Sequence, residues 1–384
     1  MSRTRRRATI LGAAAASVVA GVALLPNWSA GAAVVDDPTV DAQTKATFQR
    51  LADAVFTDRT DALVEGNQGG RGKQLTDGFS GDVKVSSGTA RTEDAALSTL
   101  GRRKDTLAKA GEKYSKATTT VTLNATRVTG RTAKAAVTET TTLTYAQARG
   151  GAPKSTGFQA QHELTFKADE RGTWQLTDVE DTDQGGLAVN TLSKPVSVKA
   201  TTADDTMPNA PRAATTRNPV AVPKAGTAYD YKAMATYAEK YWNVYNTAYP
   251  NYNGHADGGD CTNFVSQSLK AGGWKHVPGY VYDYTKWFGN ADIQSDSFVG
   301  VNEWSWFAQN SKRTTSLANV FQLEVGDVLQ MDFDKDGSKD HTMIVTYKSG
   351  GVPYVTYHSN NTYRRSVASL VASYPNAAFY AYRT

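Results

Sequence analysis

The sequence contains almost no cysteine. Among its 384 residues there is one, Cys261. A single thiol excludes a disulfide within the chain, although exported proteins normally pair their cysteines. Three interpretations remain: a link to another molecule, an inert buried thiol or a reactive thiol. Composition does not distinguish these interpretations, so the choice among them depends on the residues around Cys261.

The chain also has little excess charge once its first residues are set aside. The formal net charge is +5, and four basic residues with no acidic counterpart lie before residue 32, namely Arg3, Arg5, Arg6 and Arg7. Without that segment the net charge is close to +1. This balance gives no reason to expect a nucleic acid or an anionic surface as a partner.

The N-terminal segment has the pattern of an export signal. The arginines precede an apolar stretch over residues 8–25 and the small residues Ala30-Gly31-Ala32. This order predicts a signal peptide over residues 1–32, with general and twin-arginine export both open. The alternative is an uncleaved anchor, but the stretch is short for a membrane span and ends at Pro26. We therefore expect a secreted or cell-wall-associated protein without a transmembrane span after cleavage.

Residues 34–183 are predicted to form one α+β domain. Apolar spacing indicates a helix within residues 40–65 and a second helix from Thr92, and after Lys113 a period of two indicates an antiparallel sheet. This order resembles the cone-shaped fold of nuclear-transport-factor-like and ketosteroid-isomerase-like domains. No acid and base pair is evident, and His162 is interpreted as a satisfied or solvent-facing strand histidine. We therefore assign this domain no chemistry.

A change in composition separates two further segments. Residues 184–225 contain five prolines scattered among threonine, alanine, asparagine and aspartate, which is typical of a linker. Seventeen of the 19 tyrosines follow Gly226. Such a shift predicts a second domain over residues 226–384 with its own core.

Cys261 is predicted at the start of a helix in this second domain. Residues 251–260 are typical of a loop, whereas the residues from Phe264 to Leu269 have helical spacing. We expect Asp260 to cap the helix. Unpaired N–H groups in the first turn should favour an anion, so we also expect the thiol pKa of Cys261 to be lowered.

A base for this nucleophile is found further along the chain. Residues 340–346 predict a strand that His341 begins, and residues 352–357 predict an antiparallel return strand. His358 and Asn360 follow the return strand and should lie near His341. A thiol, a histidine base and a third polar group that orients the base are the components of nucleophilic amide hydrolysis, which requires no cofactor.

Three blocks carry a family resemblance: Asp260-Cys261-Thr262-Asn263-Phe264-Val265, Gly326-Asp327-Val328 and Asp340-His341-Thr342-Met343-Ile344-Val345. They are similar to the blocks of papain-like bacterial amidases, including NlpC-type and CHAP peptidoglycan hydrolases, and most similar to the bacterial putative amidase domain family. The resemblance covers about the last 160 residues. It implies a papain-like α+β fold with Cys261 as nucleophile and His341 as general base. The third catalytic residue corresponds to His358 in NlpC-type domains and to Asn360 in CHAP domains, and both stay open.

The sequence therefore predicts a secreted cysteine-dependent amide hydrolase. Export and the resemblance together indicate peptidoglycan as substrate, at a stem-peptide bond or at the muramoyl-alanine amide. Exposed tyrosines and tryptophans such as Trp287, Trp304 and Trp306 would stack on its sugars, although a share of these aromatic residues must belong to the core. Two other classes remain open: a non-catalytic cell-wall-binding protein, and a cysteine peptidase or transglutaminase-type enzyme that acts on proteins.

One acidic segment suggests a metal site. Asp332, Asp334 and Asp336, followed by Gly337, reproduce the first half of a calcium-binding loop. The glutamate that would complete the loop is replaced by Met343, and the flanking segments read as strands. The segment is therefore either a structural calcium site just before His341 or a solvated acidic turn.

Overall fold

The computed structural model describes residues 40–66, 83–146, 151–183, 187–192, 207–224, 228–253 and 259–384. The predicted signal peptide lies outside these residues. Within them, no helix has both the length and the apolar character that crossing a membrane demands. The fold is α+β, as predicted, with helices packed on a mixed and mostly antiparallel sheet.

The first half of the chain combines two helices with five strands. Its elements are α1 (Ala42–Asp61), β1 (Val83–Val85), α2 (Ser87–Lys109), β2 (Tyr114–Thr129), β3 (Thr132–Tyr145), β4 (Ser155–Ala168) and β5 (Trp174–Asp181). The backbone N–H of Thr89 donates to the side chain of Ser86, which caps α2. The helix therefore begins before Thr92, where the sequence placed its start; Gly88, a poor helix former, hides the signal.

The second half holds the remaining elements. They are α3 (Tyr231–Tyr241), α4 (Cys261–Ala271), α5 (Asp296–Val299), α6 (Val301–Asn310), β6 (Thr315–Leu317), a 3₁₀ turn (Val320–Gln322), β7 (Val328–Asp332), β8 (His341–Ser349), β9 (Val352–Tyr357), β10 (Thr362–Ser366), α7 (Val367–Ser373) and β11 (Ala378–Arg383). Strands β8 and β9 pair as the antiparallel hairpin that the sequence predicts.

Strand pairing joins the two halves. Over the described residues one sheet runs in the order β1-β5-β4-β10-β9-β8-β7-β11-β6, with β3 paired to β4 and β2 to β3. One edge of β4 pairs with β3 along its length. Its other edge pairs with β10 at Gly157 and Phe158, and with β5 from His162 onward. The two predicted domains therefore share backbone hydrogen bonds.

The segment predicted as a linker packs against both halves over its described residues. Leu187 is fully buried, and the carbonyl of Val189 accepts a hydrogen bond from Arg103 of α2 at 2.8 Å. Further along, the backbone N–H of Ala213 donates to the carbonyl of Phe379 on β11 at 2.7 Å. These contacts hold the segment on the folded body at two places.

The sheet of the second half has two covered faces. Helix α4 packs on one face, where Phe264 and Leu269 meet Val328 and Ile344 of the strands. Helix α7 packs on the other face, in a cluster with Leu329, Met331, Met343, Val345 and Tyr357. Because side chains alternate along a strand, consecutive residues of β8 point to opposite faces. This alternation decides which residues of β8 reach α4.

Candidate active site

Cys261 is the first residue of α4, as predicted. Its side chain is 3% exposed. The hydroxyl of Thr262 lies 3.7 Å from Sγ and 2.9 Å from the hydroxyl of Thr342 on β8. The first turn of α4 therefore lies against the beginning of β8, one residue after His341.

Burial has the largest effect on the thiol pKa of Cys261. It raises the pKa of Cys261 above its ordinary value, and the negative charge of Asp260 adds to the rise. Hydrogen bonds from the Thr342 backbone and the Thr262 hydroxyl lower the pKa without offsetting burial. The expectation of a lowered thiol pKa is therefore wrong for this structure, because desolvation outweighs the helix terminus.

Asp260 does not cap the helix through its side chain. Its Oδ1 accepts from the backbone N–H of Tyr252 at 3.1 Å and from Nδ2 of Asn263 at 2.8 Å, and its Oδ2 lies 2.6 Å from Nδ1 of His358. The expected cap is therefore wrong. A histidine outcompetes the helix N–H groups for this carboxylate, which instead fastens the preceding loop.

Both ring nitrogens of His358 have hydrogen-bond partners. Its Nε2 lies 2.8 Å from the carbonyl oxygen of Tyr241, and its ring stacks on Phe264 with 4.0 Å between centroids. A carbonyl and a carboxylate only accept, so both ring nitrogens are placed to donate to Tyr241 and Asp260. Neither nitrogen is left to orient His341.

Asn360 holds the segment that precedes the second half. Its Oδ1 accepts from the backbone N–H groups of Leu187 at 2.5 Å and Ala188 at 3.2 Å. Its Nδ2 donates to Asp183 at 2.6 Å, a carboxyl group whose pKa burial raises to about 7. Within the described residues, neither His358 nor Asn360 hydrogen-bonds to His341. Their role as the third catalytic residue stays a prediction.

His341 begins β8, as predicted, and is 2% exposed. Its ring meets that of Tyr357 edge to face, with 5.0 Å between centroids. Its Nε2 is buried without a hydrogen-bond partner among the described residues. Burial lowers the pKa of the imidazole to about 3, so the ring is neutral near pH 7 and keeps an unused nitrogen.

The two residues at the start of β8 point to opposite faces. The hydroxyl of Thr342 lies 2.9 Å from the hydroxyl of Thr262 on α4, whereas His341 contacts Tyr357 of the opposite face. The structure therefore brings Cys261 beside the backbone that follows His341. No hydrogen bond joins the thiol to the imidazole within the part of the chain that the structure describes.

The sequence did not predict that Gln330, Thr262 and Thr342 lie in the surroundings of Cys261. Nε2 of Gln330 donates to the carbonyl of Val301 at 2.8 Å and to the hydroxyl of Thr342 at 3.1 Å. One signal was available, because a threonine directly follows both Cys261 and His341. No signal in the sequence indicated Gln330, because its neighbours in the strand are apolar residues typical of a core.

The Gly326-Asp327 block holds the end of the chain. Asp327 is fully buried and lies 2.6 Å from Nζ of Lys224 and 2.9 Å from Nε of Arg383. Gly326 has φ +86°, and a Cβ there would lie 2.7 Å from the ring of Tyr231. The block is therefore structural, and only glycine suits its first position.

The acidic loop has a ligand set different from the predicted one. Carboxylate oxygens of Asp332, Asp334 and Asp340 all lie within 4.8 Å of one another. Asp336 is not part of this group, and it accepts from the backbone N–H of Ser338 at 2.7 Å. The calcium site stays a prediction, in which Asp340 takes the position predicted for Asp336.

The tryptophans proposed to stack on sugars are core residues. Trp287 and Trp304 have no exposed surface and Trp306 is 6% exposed, so that expectation is wrong. The exposed aromatic residues of this domain include Tyr280 and Tyr282, which are 68% and 69% exposed. Their rings contact each other edge to face at 5.3 Å.

His162 in the first half is a satisfied histidine, one of the two interpretations made for it. Its Nδ1 lies 3.0 Å from Asp181 and its Nε2 lies 3.1 Å from Glu139. Burial by itself lowers the pKa of the ring, but hydrogen bonds to Asp181 and Glu139 outweigh it and raise the pKa to about 9. The ring is therefore a buried cation held by two carboxylates.

Comparison with protein families gives a match in the second half. Residues 228–382 match the model of the putative amidase domain family. This range contains Cys261, His341 and the strands and helices that position them. The match indicates an amidase-like hydrolase.

Two individual proteins are similar to this chain in sequence. The chain is 35% identical over 142 residues to the uncharacterized protein YhbB of Bacillus subtilis (strain 168), a match that covers 35% of this chain and 44% of that protein. It is 32% identical over 140 residues to the uncharacterized protein YjcM of the same organism, covering 35% of this chain and 31% of that protein. The chain thus spans less than half the length of these relatives. No solved structure matches it significantly.

Proposed function

We propose that residues 228–382 form a cysteine-dependent amide hydrolase with Cys261 as nucleophile and His341 as general base. One observation carries the proposal: Cys261 begins α4, and the first turn of α4 meets the start of β8, where the hydroxyls of Thr262 and of Thr342, the residue after His341, lie 2.9 Å apart. A buried thiol at a helix start thereby lies beside the strand that begins with His341, a histidine whose Nε2 has no partner among the described residues. The match to an amidase domain supports the reaction class.

The reaction follows the general scheme of thiol catalysis. Sγ of Cys261 attacks the amide carbon while its proton passes to His341, and N–H groups at the start of α4 stabilise the oxyanion. His341 then returns the proton to the leaving amine, and a thioester remains. Water attacks the thioester, again with His341 as base, and releases the acid and the thiol.

A side-chain rotation of His341 belongs to this mechanism. The ring lies against Tyr357, where burial keeps its pKa at about 3, too low for an effective base near neutral pH. Because His341 is the first residue of β8, its ring is at the end of the sheet. Turning towards Cys261 would bring the ring beside the developing thiolate, whose negative charge would raise the pKa of the imidazole.

Peptidoglycan is the proposed substrate, at a stem-peptide bond or the muramoyl-alanine amide. The export pattern of residues 1–32 and the resemblance to cell-wall amidases support a secreted or wall-associated enzyme. The exposed rings of Tyr280 and Tyr282 supply apolar faces of the kind that stack on sugars. A cysteine peptidase acting on proteins would use the same chemistry, and a non-catalytic wall-binding protein would use none.

The test compares wild type with Cys261→Ala on purified peptidoglycan and on denatured protein, with mass analysis of the products. We expect wild type to release peptidoglycan fragments and Cys261→Ala to release none. Thr346→Val is the matched control, since Thr346 pairs with Thr356 on the same sheet, away from the sulfur. Cleavage of the protein alone would favour the peptidase, and wall binding without products from wild type would contradict catalysis.

A further inference from the structure

A row of hydrogen bonds leads from the sheet to the sulfur of Cys261. Nε2 of Gln330 lies 3.1 Å from the hydroxyl oxygen of Thr342. That oxygen lies 2.9 Å from the hydroxyl oxygen of Thr262, which lies 3.7 Å from Sγ of Cys261. The four residues are buried and come from β7, β8 and α4.

The direction of this row is fixed at its far end. A backbone carbonyl can only accept, so the atom of Gln330 that lies 2.8 Å from the carbonyl of Val301 must be the amide nitrogen. The second proton of that nitrogen then points to Thr342. Because Thr342 accepts there, its single hydroxyl proton is free to go to Thr262. A Thr262 hydroxyl that accepts this proton keeps its own proton for Cys261, so the geometry is compatible with one direction from Gln330 to the sulfur.

We propose that Gln330, Thr342 and Thr262 are positioning residues that form a directed hydrogen-bond relay aimed at Sγ of Cys261. The relay ties the first turn of α4 to β7 and β8 and presents a hydroxyl donor to the sulfur. The inference rests on the proposed function of Cys261 as nucleophile. The three relay residues act through the thiol without touching substrate.

The surroundings of the thiol explain why such a donor matters. Burial and the negative charge of Asp260 both oppose a thiolate. Asp260 is paired with His358, and the ring of His341 lies against Tyr357 on the opposite face of the sheet, so neither histidine supplies a free positive charge to the sulfur. The donors that remain are the Thr342 backbone N–H and the hydroxyl at the end of the relay. A donor that favours the anion lowers the proton affinity of the thiol.

The test measures the thiol itself. Cys261 is the only cysteine of the chain, so iodoacetamide alkylation and thiolate absorbance each report on one group. We expect Thr262→Val to raise the thiol pKa by about one unit, since it removes one donor to the anion and keeps the side-chain shape. Thr342→Val should raise it less and Gln330→Met least, because each lies one bond further from the sulfur.

Conservative and matched variants separate the relay from general packing. Thr262→Ser and Thr342→Ser keep the hydroxyl and should restore the wild-type titration. Thr346→Val removes one hydroxyl of the pair that Thr346 forms with Thr356 at 2.8 Å on the same strand, and it should not shift the thiol pKa. If Thr262→Val does not fold, Thr342→Val decides, because its side chain does not touch the sulfur.

Two results would overturn the relay: an unchanged titration in both Thr262→Val and Thr342→Val, or an equal shift in Thr346→Val. Failure of the relay is distinct from failure of the proposed function. A shifted titration in a protein that hydrolyses no amide would keep the relay and reject the enzyme. An unchanged titration in an active enzyme would reject the relay and keep the proposed function.

Discussion

Two buried histidines of this protein have opposite surroundings. His162 in the first half lies between the carboxylates of Glu139 and Asp181, and its pKa is raised to about 9. His341 in the second half has no hydrogen-bond partner at Nε2 among the described residues, and burial lowers its pKa to about 3. Near neutral pH the first ring is a cation and the second is neutral.

The difference shows that the partners of a buried ring, and not its burial, decide what it can do. A cation held by two carboxylates is a structural ion cluster, since both nitrogens are committed. A neutral ring with an unused nitrogen carries a cost to stability that suits a group with a chemical task. The comparison therefore indicates a structural role for His162 and is consistent with the proposed role of His341 as general base.

The largest effect is expected when His341 is replaced. His341→Leu should lower amide hydrolysis by about 100-fold to 10,000-fold, the usual contribution of a general base. Its free energy of unfolding should stay level or rise, because a buried nitrogen without a partner is removed. Hydrolysis rates and urea unfolding measure the two quantities. Retained activity, or a stability loss of several kcal/mol, would break the contrast.

Replacement of His162 should have the reverse pattern. His162→Leu removes the cation that Glu139 and Asp181 share and leaves Glu139 fully buried, with Arg59 remaining 3.8 Å from Asp181, so it should cost about 3–5 kcal/mol of stability. The folded fraction should hydrolyse substrate at the wild-type rate, since the ring lies outside the proposed site. Urea unfolding of the two leucine variants side by side is the measurement. A catalytic loss in folded His162→Leu would give the first half a chemical role.

The two rings should also give stability opposite dependences on pH. The pKa of His162 is higher in the folded state than in the unfolded chain, so its contribution is full below about 6.5 and is lost as the pH rises through about 9. The pKa of His341 is lower in the folded state, so stability is lost as the pH falls from about 6.5 towards 3. Unfolding followed from pH 3 to 10 should show each slope vanish only in its own leucine variant, and identical slopes in both would contradict the assignment.

Asn360 links the two halves, and its loss should have a moderate effect. Asn360→Ala removes the acceptor of the Leu187 and Ala188 N–H groups and the donor to Asp183, which should cost about 1–3 kcal/mol. Hydrogen exchange at Leu187 and Ala188 should accelerate. The pH profile of hydrolysis decides its other role, because a shifted profile would restore Asn360 as the residue that orients His341.

The smallest expected effect concerns calcium. If the carboxylates before His341 hold a cation, as those around His162 hold a ring, calcium at ten times its dissociation constant should add about 1.4 kcal/mol of stability. Asp334→Asn should abolish the gain, because Asp334 belongs to the group found in the structure. Asp336→Asn should keep it, because Asp336 does not. Calorimetric titration without heat would end the prediction.

Local patterns in the sequence predicted where the reactive groups begin their elements. Cys261 opens a helix and His341 opens a strand because loop residues give way to helical or β-branched patterns at those points. The β8–β9 hairpin followed for the same reason. These features depend on neighbouring residues, which the sequence displays directly.

Contacts between distant segments could not be predicted in this way. Asp260 pairs with His358, 98 residues away, so it is unavailable as a helix cap. The face of β8 to which His341 points depends on where α4 and α7 pack. The burial of Trp304 depends likewise on how the helices pack on the sheet. In each case a tertiary partner outweighs a local preference.

The shared edge of β4 has a consequence for how the chain is made. Gly157 and Phe158 pair with Tyr363 and Thr362, roughly 200 residues later. During synthesis the first half can form its own strands, but this short edge stays open until β10 has left the ribosome. Open strand edges promote association between chains, and contacts so distant in sequence form late. A chain that stops before Thr362 would therefore keep this edge unpaired and prone to association, and β10 is the element that covers it.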